Sequence, residues 1–138
     1  LTETAVMRRS DLVKQTMDAL GRLGVRFSLD DFGTGFSSFV HLNSLPITLL
    51  KIDKSFVGGM EQREENRQLV HAMINLAHNL KLEVVAEGVE TPEQLELLRG
   101  FDCDQVQGYL ISKPLPLAEL VEYLTFGNSR QPALEVVV

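Results

Sequence analysis

The sequence has no tryptophan, a single cysteine and three histidines, and it contains no long apolar run. A lone thiol, Cys103, cannot close an internal disulfide, which points to a reducing cytoplasm as the compartment. One cysteine and the scattered histidines His41, His71 and His78 supply too few ligands for a thiolate zinc site. No stretch reaches the roughly 20 apolar residues that span a bilayer, so no membrane contact is expected of this segment. The first residues lack a basic-then-apolar signal pattern and do not begin with Met, so the chain reads as an excerpt of a longer protein.

Positive charge is also short. Thirteen Lys and Arg face nineteen Asp and Glu, giving a net charge of −6 and a pI near 5.0. Such a surface repels polymeric nucleic acid and anionic lipid. A small phosphorylated ligand is compatible with it if a metal cation supplies local positive charge. What remains is an ordinary globular composition: 138 residues, 44% hydrophobic and 23% charged, enough apolar surface to offset the entropy of ordering one domain.

The pattern along the chain is α/β. Residues 25–29, 49–52, 83–86 and 105–111 read as strands. Residues 9–23, 37–44, 64–80, 93–99 and 116–126 read as helices, the third marked by Leu69, Val70, Met73, Ala77 and Leu80 at helical spacing. Strands alternating with helices imply βαβ units and a parallel sheet. Thr91-Pro92-Glu93-Gln94 is a capping box with proline at the first helical position. Gly24 and Gly100 stand where helix C-caps are expected, each before a strand. Met7, Met17, Met60 and Met73 read as packing residues. His71 and His78 read as partly buried helix residues and His41 as a surface residue, not as ligands. A tail begins at Gly127.

The strands sort their side chains by face. Phe27 and Leu29 alternate with Ser28 and Asp30, Leu50 and Ile52 with Lys51 and Asp53, and Val84 and Ala86 are followed by Glu87. One face is thus apolar and suited to helices, while the other collects charge. Buried charge is prohibitive without a partner, so the second face is expected to be an interior or mouth that something ionic occupies.

Four strands end in polar residues: Asp30-Asp31, Lys51, Glu87 with Glu90, and Gln107. In a β/α barrel such ends converge on one mouth. Two adjacent carboxylates suit a divalent cation, or else Asp31 caps a turn while Asp30 is solvated. Lys51 suits a phosphate or carboxylate, or else an ion pair with Asp53 at a sheet edge. Glu87 suits a general base or metal ligand, or else the N-terminal carboxylate of the next helix, which Glu90 supplies equally well. Gln107 orients a water or substrate, or is a satisfied core amide.

Together, Leu29-Asp30-Asp31-Phe32-Gly33-Thr34-Gly35-Phe36-Ser37-Ser38, Leu50-Lys51-Ile52-Asp53, Ala86-Glu87-Gly88-Val89-Glu90, Val106-Gln107-Gly108-Tyr109 and the opening Leu1-Thr2-Glu3-Thr4 resemble the motifs of EAL domains, the bacterial cyclic di-GMP phosphodiesterases. The resemblance implies a TIM-like (β/α) barrel of which residues 1–126 form the C-terminal half, with about four to five parallel strands and a tail at 127–138. It implies hydrolysis of cyclic di-GMP to linear pGpG with two divalent cations, Mg or Mn. Carried across by motif, Asp30 and Asp31 match metal ligands, Lys51 the lysine at the water or phosphate, and Glu87 the general base. Glu90 and Gln107 match supporting residues, and Glu3 matches the glutamate anchoring the loop 32–38, which is tied to homodimerisation.

Departures accompany the resemblance. The Glu-Ala-Leu signature and the asparagine ligand belong to the N-terminal half of such a domain, and neither is in this sequence. A β/α barrel takes roughly 200 residues or more, so the chain is expected to be a truncated domain, itself inactive or weakly active. An EAL-type receptor that binds cyclic di-GMP or a protein without turnover is the alternative. Pairing of the open sheet edges with a second copy is a further expectation.

Overall fold

The structure, a computed structural model, describes residues 10–33, 45–127 and 135–136. The expected helix at 37–44, Met7, His41, Glu3 and most of the glycine loop lie outside the described residues. The elements run α1 (Ser10–Gly21), β1 (Ser28–Phe32), β2 (Leu49–Ile52), α2 (Lys54–Val57), α3 (Glu64–Asn79), β3 (Glu83–Glu87), α4 (Pro92–Gly100), β4 (Gln105–Gln107), α5 (Leu117–Glu122) and β5 (Glu135–Val136). A π-helical turn, Tyr123–Gly127, continues α5.

All five described strands are parallel and lie in sequence order, β1-β2-β3-β4-β5. Sequential parallel order with intervening helices is the arrangement of a barrel arc, in contrast to the reversing order of a doubly wound sheet. The apolar strand face is packed as the alternation requires. Leu29, Leu50, Ile52, Val84, Ala86 and Val106 are buried and form one core with Val70, Met73, Ile74 and Ala77 of α3, Leu98 of α4 and Met17 of α1. Each Leu, Ile, Val or Met among them contributes about 1.5–3 kcal/mol on leaving water.

Three helix-to-strand turns repeat one hydrogen-bond pattern. After α1, Val25 N–H donates to Leu20 C=O and Gly24 N–H to Gly21 C=O; after α3, Leu82 and Lys81 donate to Ala77 and His78; after α4, Cys103 and Asp102 donate to Leu98 and Arg99. This is the paired closure of a Schellman cap, which places one residue in the left-handed region. Gly24 (φ 88°), Lys81 (φ 61°) and Asp102 (φ 58°) occupy it. Gly24 is therefore the cap its position predicts. Gly100 is not: it is the last residue of α4, and Asp102 takes the strained position.

The capping box is present, with Gln94 N–H donating to the Thr91 hydroxyl at 3.2 Å and the buried Gln94 side chain accepting from the backbone of Thr91 and Glu90. Met17, Met60 and Met73 are core residues. Leu69 differs from its expected role, being 41% exposed because it flanks the buried stripe instead of lying within it. His71 and His78 are exposed rather than partly buried; His71 stacks on Phe101 at 4.7 Å and His78 meets Asp104 at 2.9 Å. The strand expected at 105–111 stops at Gln107 and gives way to a tight turn.

Candidate active site

The polar strand face carries the site. Lys51 lies on β2 beside Val85 of β3, and Val85 lies beside Gln105 of β4. Val85 is buried, yet it stands apart from the apolar core on the helical side. It forms the floor of the charged row.

Lys51 is the centre of that row. Its ammonium lies 3.1 Å from Asp30 Oδ1 and pairs with Glu87 Oε1. The three side chains are about one-fifth to two-fifths exposed, so the cluster is shielded but open to a ligand. Burial alone lowers the Lys51 pKa, but hydrogen bonds and charge from Glu87 and Asp30 outweigh it, and the pKa is raised above the ordinary lysine value. The ammonium is thus held charged between two carboxylates.

β1 carries a local backbone irregularity at the aspartates. Leu29 pairs with Leu50 and Phe32 with Ile52, so three residue steps on β1 match two on β2. The extra residue is a β-bulge at Asp30-Asp31. Without it, Leu29 and Phe32 would face opposite sides of the sheet; with it both are buried in the core, and the two aspartates together span the backbone position beside Lys51. The Asp31 side chain lies outside the described residues. Strand alternation suggested Asp30 on the polar face, but the bulge had no signal in the sequence beyond the doubled aspartate itself.

Asp53 does not pair with Lys51. It caps α2, accepting from Ser55 N–H at 2.9 Å, and hydrogen bonding from the Ser55 side chain, then from its backbone, lowers the Asp53 pKa. Gln107 sits beside Glu87 in register. Glu90 is exposed, and only its backbone is fixed, by Gln94. The loops after β3 and β4 are tied together: Val89 N–H donates to Gln107 C=O at 3.1 Å and Leu110 N–H to Val89 C=O at 3.0 Å. A Cβ on Gly108 would collide with the Val89 backbone, so glycine is required for this close approach.

Oxygen donors of this kind suit a hard divalent cation. Among the described residues, no group of three or more His, Cys, Asp or Glu is gathered closely enough to hold one. The donor chemistry therefore fits a divalent cation in kind, while its coordination needs ligands beyond the described set. No described helix is long and apolar enough to cross a membrane.

Known proteins resemble this chain in sequence and fold. The EAL domain family model matches residues 1–114. Cyclic di-GMP phosphodiesterase NbdA of Pseudomonas aeruginosa is 48% identical over 124 residues, which is 90% of this chain and 16% of NbdA. Oxygen sensor protein DosP of Escherichia coli is 42% identical over 125 residues, again covering 16% of the relative. The phosphodiesterase PaMucR, solved as a cyclic di-GMP complex, superposes with a TM-score of 0.81 at 39% identity, over 87% of this chain and 49% of that one. The EAL domain of Mycobacterium smegmatis DcpA gives 0.84 at 37% identity, over 95% of this chain and 58% of that one. The chain thus spans about one-sixth of the length of these curated relatives and about half of these solved chains. Motifs, parallel arc and superposition agree, and the chain belongs to the EAL domain family.

Proposed function

We propose that this chain supplies the catalytic half of a cyclic di-GMP phosphodiesterase site, and the observation that carries the reading is the Asp30–Lys51–Glu87 cluster at the strand ends. The substrate is cyclic di-GMP and the product linear pGpG. Residues 1–126 act as the C-terminal half of the barrel, with 127–138 as a tail, and the remaining cation ligands come from the N-terminal half of an intact domain. The domain works in the cytoplasm as a homodimer, with Glu3 anchoring the loop 32–38.

Asp30 and Asp31 would hold divalent cations, Mg or Mn, and such ions when bound supply Lewis acidity and a more nucleophilic water. Glu87 accepts the proton released as water attacks the phosphorus, while the P–O bond to one ribose oxygen breaks and that oxygen leaves as a hydroxyl after taking a proton from solvent. Lys51 orients Glu87 through their ion pair and offers positive charge to the phosphoryl oxygens as negative charge grows. Gln107, beside Glu87, and Glu90, at the rim, support the substrate. An inert receptor has no need of a base ion-paired to a lysine, which favours the enzyme over the receptor reading.

The test replaces the matching 124-residue segment of NbdA with this chain and asks for pGpG from cyclic di-GMP with Mn. Asp30→Asn in that chimera is expected to abolish turnover at ordinary metal concentration, with partial recovery at high Mn. Full activity at ordinary Mn would refute ligation by Asp30.

A further inference from the structure

The turn that follows α2 reaches the far end of the segment that begins at Glu87. Residues 58–62 form this turn, between α2 and α3. It is anchored on two sides: the Met60 side chain is fully buried in the core, and the Met60 C=O accepts from Arg67 Nε at 3.1 Å. Met60 N–H donates to Val57 C=O and Arg63 N–H to Gly59 C=O. The next residue, Glu61, is partly buried and accepts through Oε1 from the Thr91 hydroxyl.

A threonine hydroxyl has one proton and two lone pairs. With the proton given to Glu61, the oxygen keeps a lone pair for Gln94 N–H, which donates to it at 3.2 Å. The Gln94 side chain in turn accepts from Glu90 N–H at 2.8 Å and from Thr91 N–H at 3.2 Å. Gln94 is buried, so a partner lost here leaves a polar group unsatisfied. The hydrogen bonds thus run from Glu61 through Thr91 and Gln94 to the backbone of Glu90. Nearer Glu87, Gly88 adopts φ 71° and lies so close to Lys54 that an added Cβ would stand 2.5 Å from the lysine Cβ. Helix α2 and its turn therefore bracket residues 88–91, with Lys54 at one end and Glu61 at the other.

The structure assigns Glu61 as a positioning residue for this segment: by fixing the Thr91 hydroxyl it locks the cap of α4, and with it the backbone of Glu90. Glu87 is held separately, by sheet register and by Lys51. Loss of Glu61 is therefore felt at the rim, where Glu90 supports the substrate, more than at the base. An amide oxygen accepts a hydrogen bond as a carboxylate oxygen does, so Glu61→Gln preserves the role and Glu61→Ala removes it. The consequence for turnover rests on the proposed phosphodiesterase function, whereas the chain of hydrogen bonds stands without it.

Amide hydrogen exchange in the whole chain, followed by NMR, tests the assignment without reference to activity. Glu61→Ala is expected to speed exchange at Glu90 and Thr91 about tenfold, the scale of one hydrogen bond to a charged acceptor, and to leave Ile74 and Val84 unchanged. Glu61→Gln is expected to exchange as the wild type does. Thr91→Val is expected to speed the same amides, and Glu61→Ala added to it to speed them no further, because members of one hydrogen-bond chain do not act additively. In the NbdA chimera, Glu61→Ala is expected to raise KM for cyclic di-GMP about tenfold with kcat little changed, and Glu61→Gln to restore KM. Unaltered exchange at Glu90 and Thr91, equal quickening at Ile74 and Val84, additive effects of the two substitutions, or an unchanged KM in Glu61→Ala would overturn the assignment. A chimera without turnover, with the local exchange effect intact, would overturn only the phosphodiesterase reading.

Discussion

The two faces of the sheet share strands β1 to β3 and obey opposite rules. On the helical face Leu29, Leu50, Ile52, Val84, Ala86 and Val106 are buried in a continuous apolar core. On the other face Asp30, Lys51 and Glu87 stay partly exposed and are bound to one another by charge. Burial on the first face lowers free energy by removing apolar area from water. The second face gains little stability from its ion pairs, since partly exposed pairs are screened by solvent. Its charges are better explained by what they can do to a ligand than by what they do for the fold.

This division is open to direct attack. Lys51→Met in the NbdA chimera is expected to cut turnover by about 10²- to 10³-fold, the scale for a lost electrostatic contact to the reacting group, while shifting thermal stability little. Steady-state kinetics beside a melting curve would show it; a large melting shift with preserved turnover would reverse the roles of the two faces. Ile74→Ala, on the helical side, is expected to cost about 2–5 kcal/mol of stability, read by urea titration of the chain. A cost well below that range would mean the core is looser than its burial implies.

Alkaline pH separates the faces more gently. Burial pushes the Cys103 thiol up to about 12 from an ordinary value of 9.0. The folded state therefore keeps a proton that the unfolded chain has released, and stability falls as pH rises from 9.0 towards 12. Lys51 acts in the same direction: its raised pKa gives stability that is complete below the unfolded value and is lost as pH climbs through the folded one. Stability measured against pH for the wild type and Cys103→Ala checks the larger share, with a flatter alkaline limb expected in the variant. The smallest effect concerns a turn. Lys81→Gly is expected to stabilise the chain by about 1 kcal/mol, by relieving a left-handed φ; no change in the urea midpoint would contradict the strain.

The sequence made the alternation of elements legible because amphipathic periods and strand alternation act locally. Helix α3 and strands β2 and β3 stand close to their expected bounds. The fate of the caps shows where local reading ends. Glycine announces a left-handed residue, so Gly24 was readable, whereas Lys81 and Asp102 take the same conformation only because the following strand must rejoin the sheet. Leu69 and His71 illustrate a similar limit: helical spacing gives a stripe, but its edges are set by which neighbours arrive. At the site, the charged strand ends were visible as residue types. The convergence of Asp30 and Glu87 on Lys51, and the bulge beside it, are properties of strand register, which no single strand encodes.

The central claim is that Glu87, held by Lys51, is the base of a phosphodiester hydrolysis. The most direct test compares the NbdA chimera carrying this chain with its Glu87→Ala variant, incubating each with cyclic di-GMP and Mn and quantifying pGpG by chromatography. The account predicts that the chimera forms pGpG and that Glu87→Ala loses about 10²- to 10⁴-fold in rate while still binding cyclic di-GMP. Equal rates in the two proteins, or a folded chimera that binds cyclic di-GMP and never cleaves it, would contradict the account.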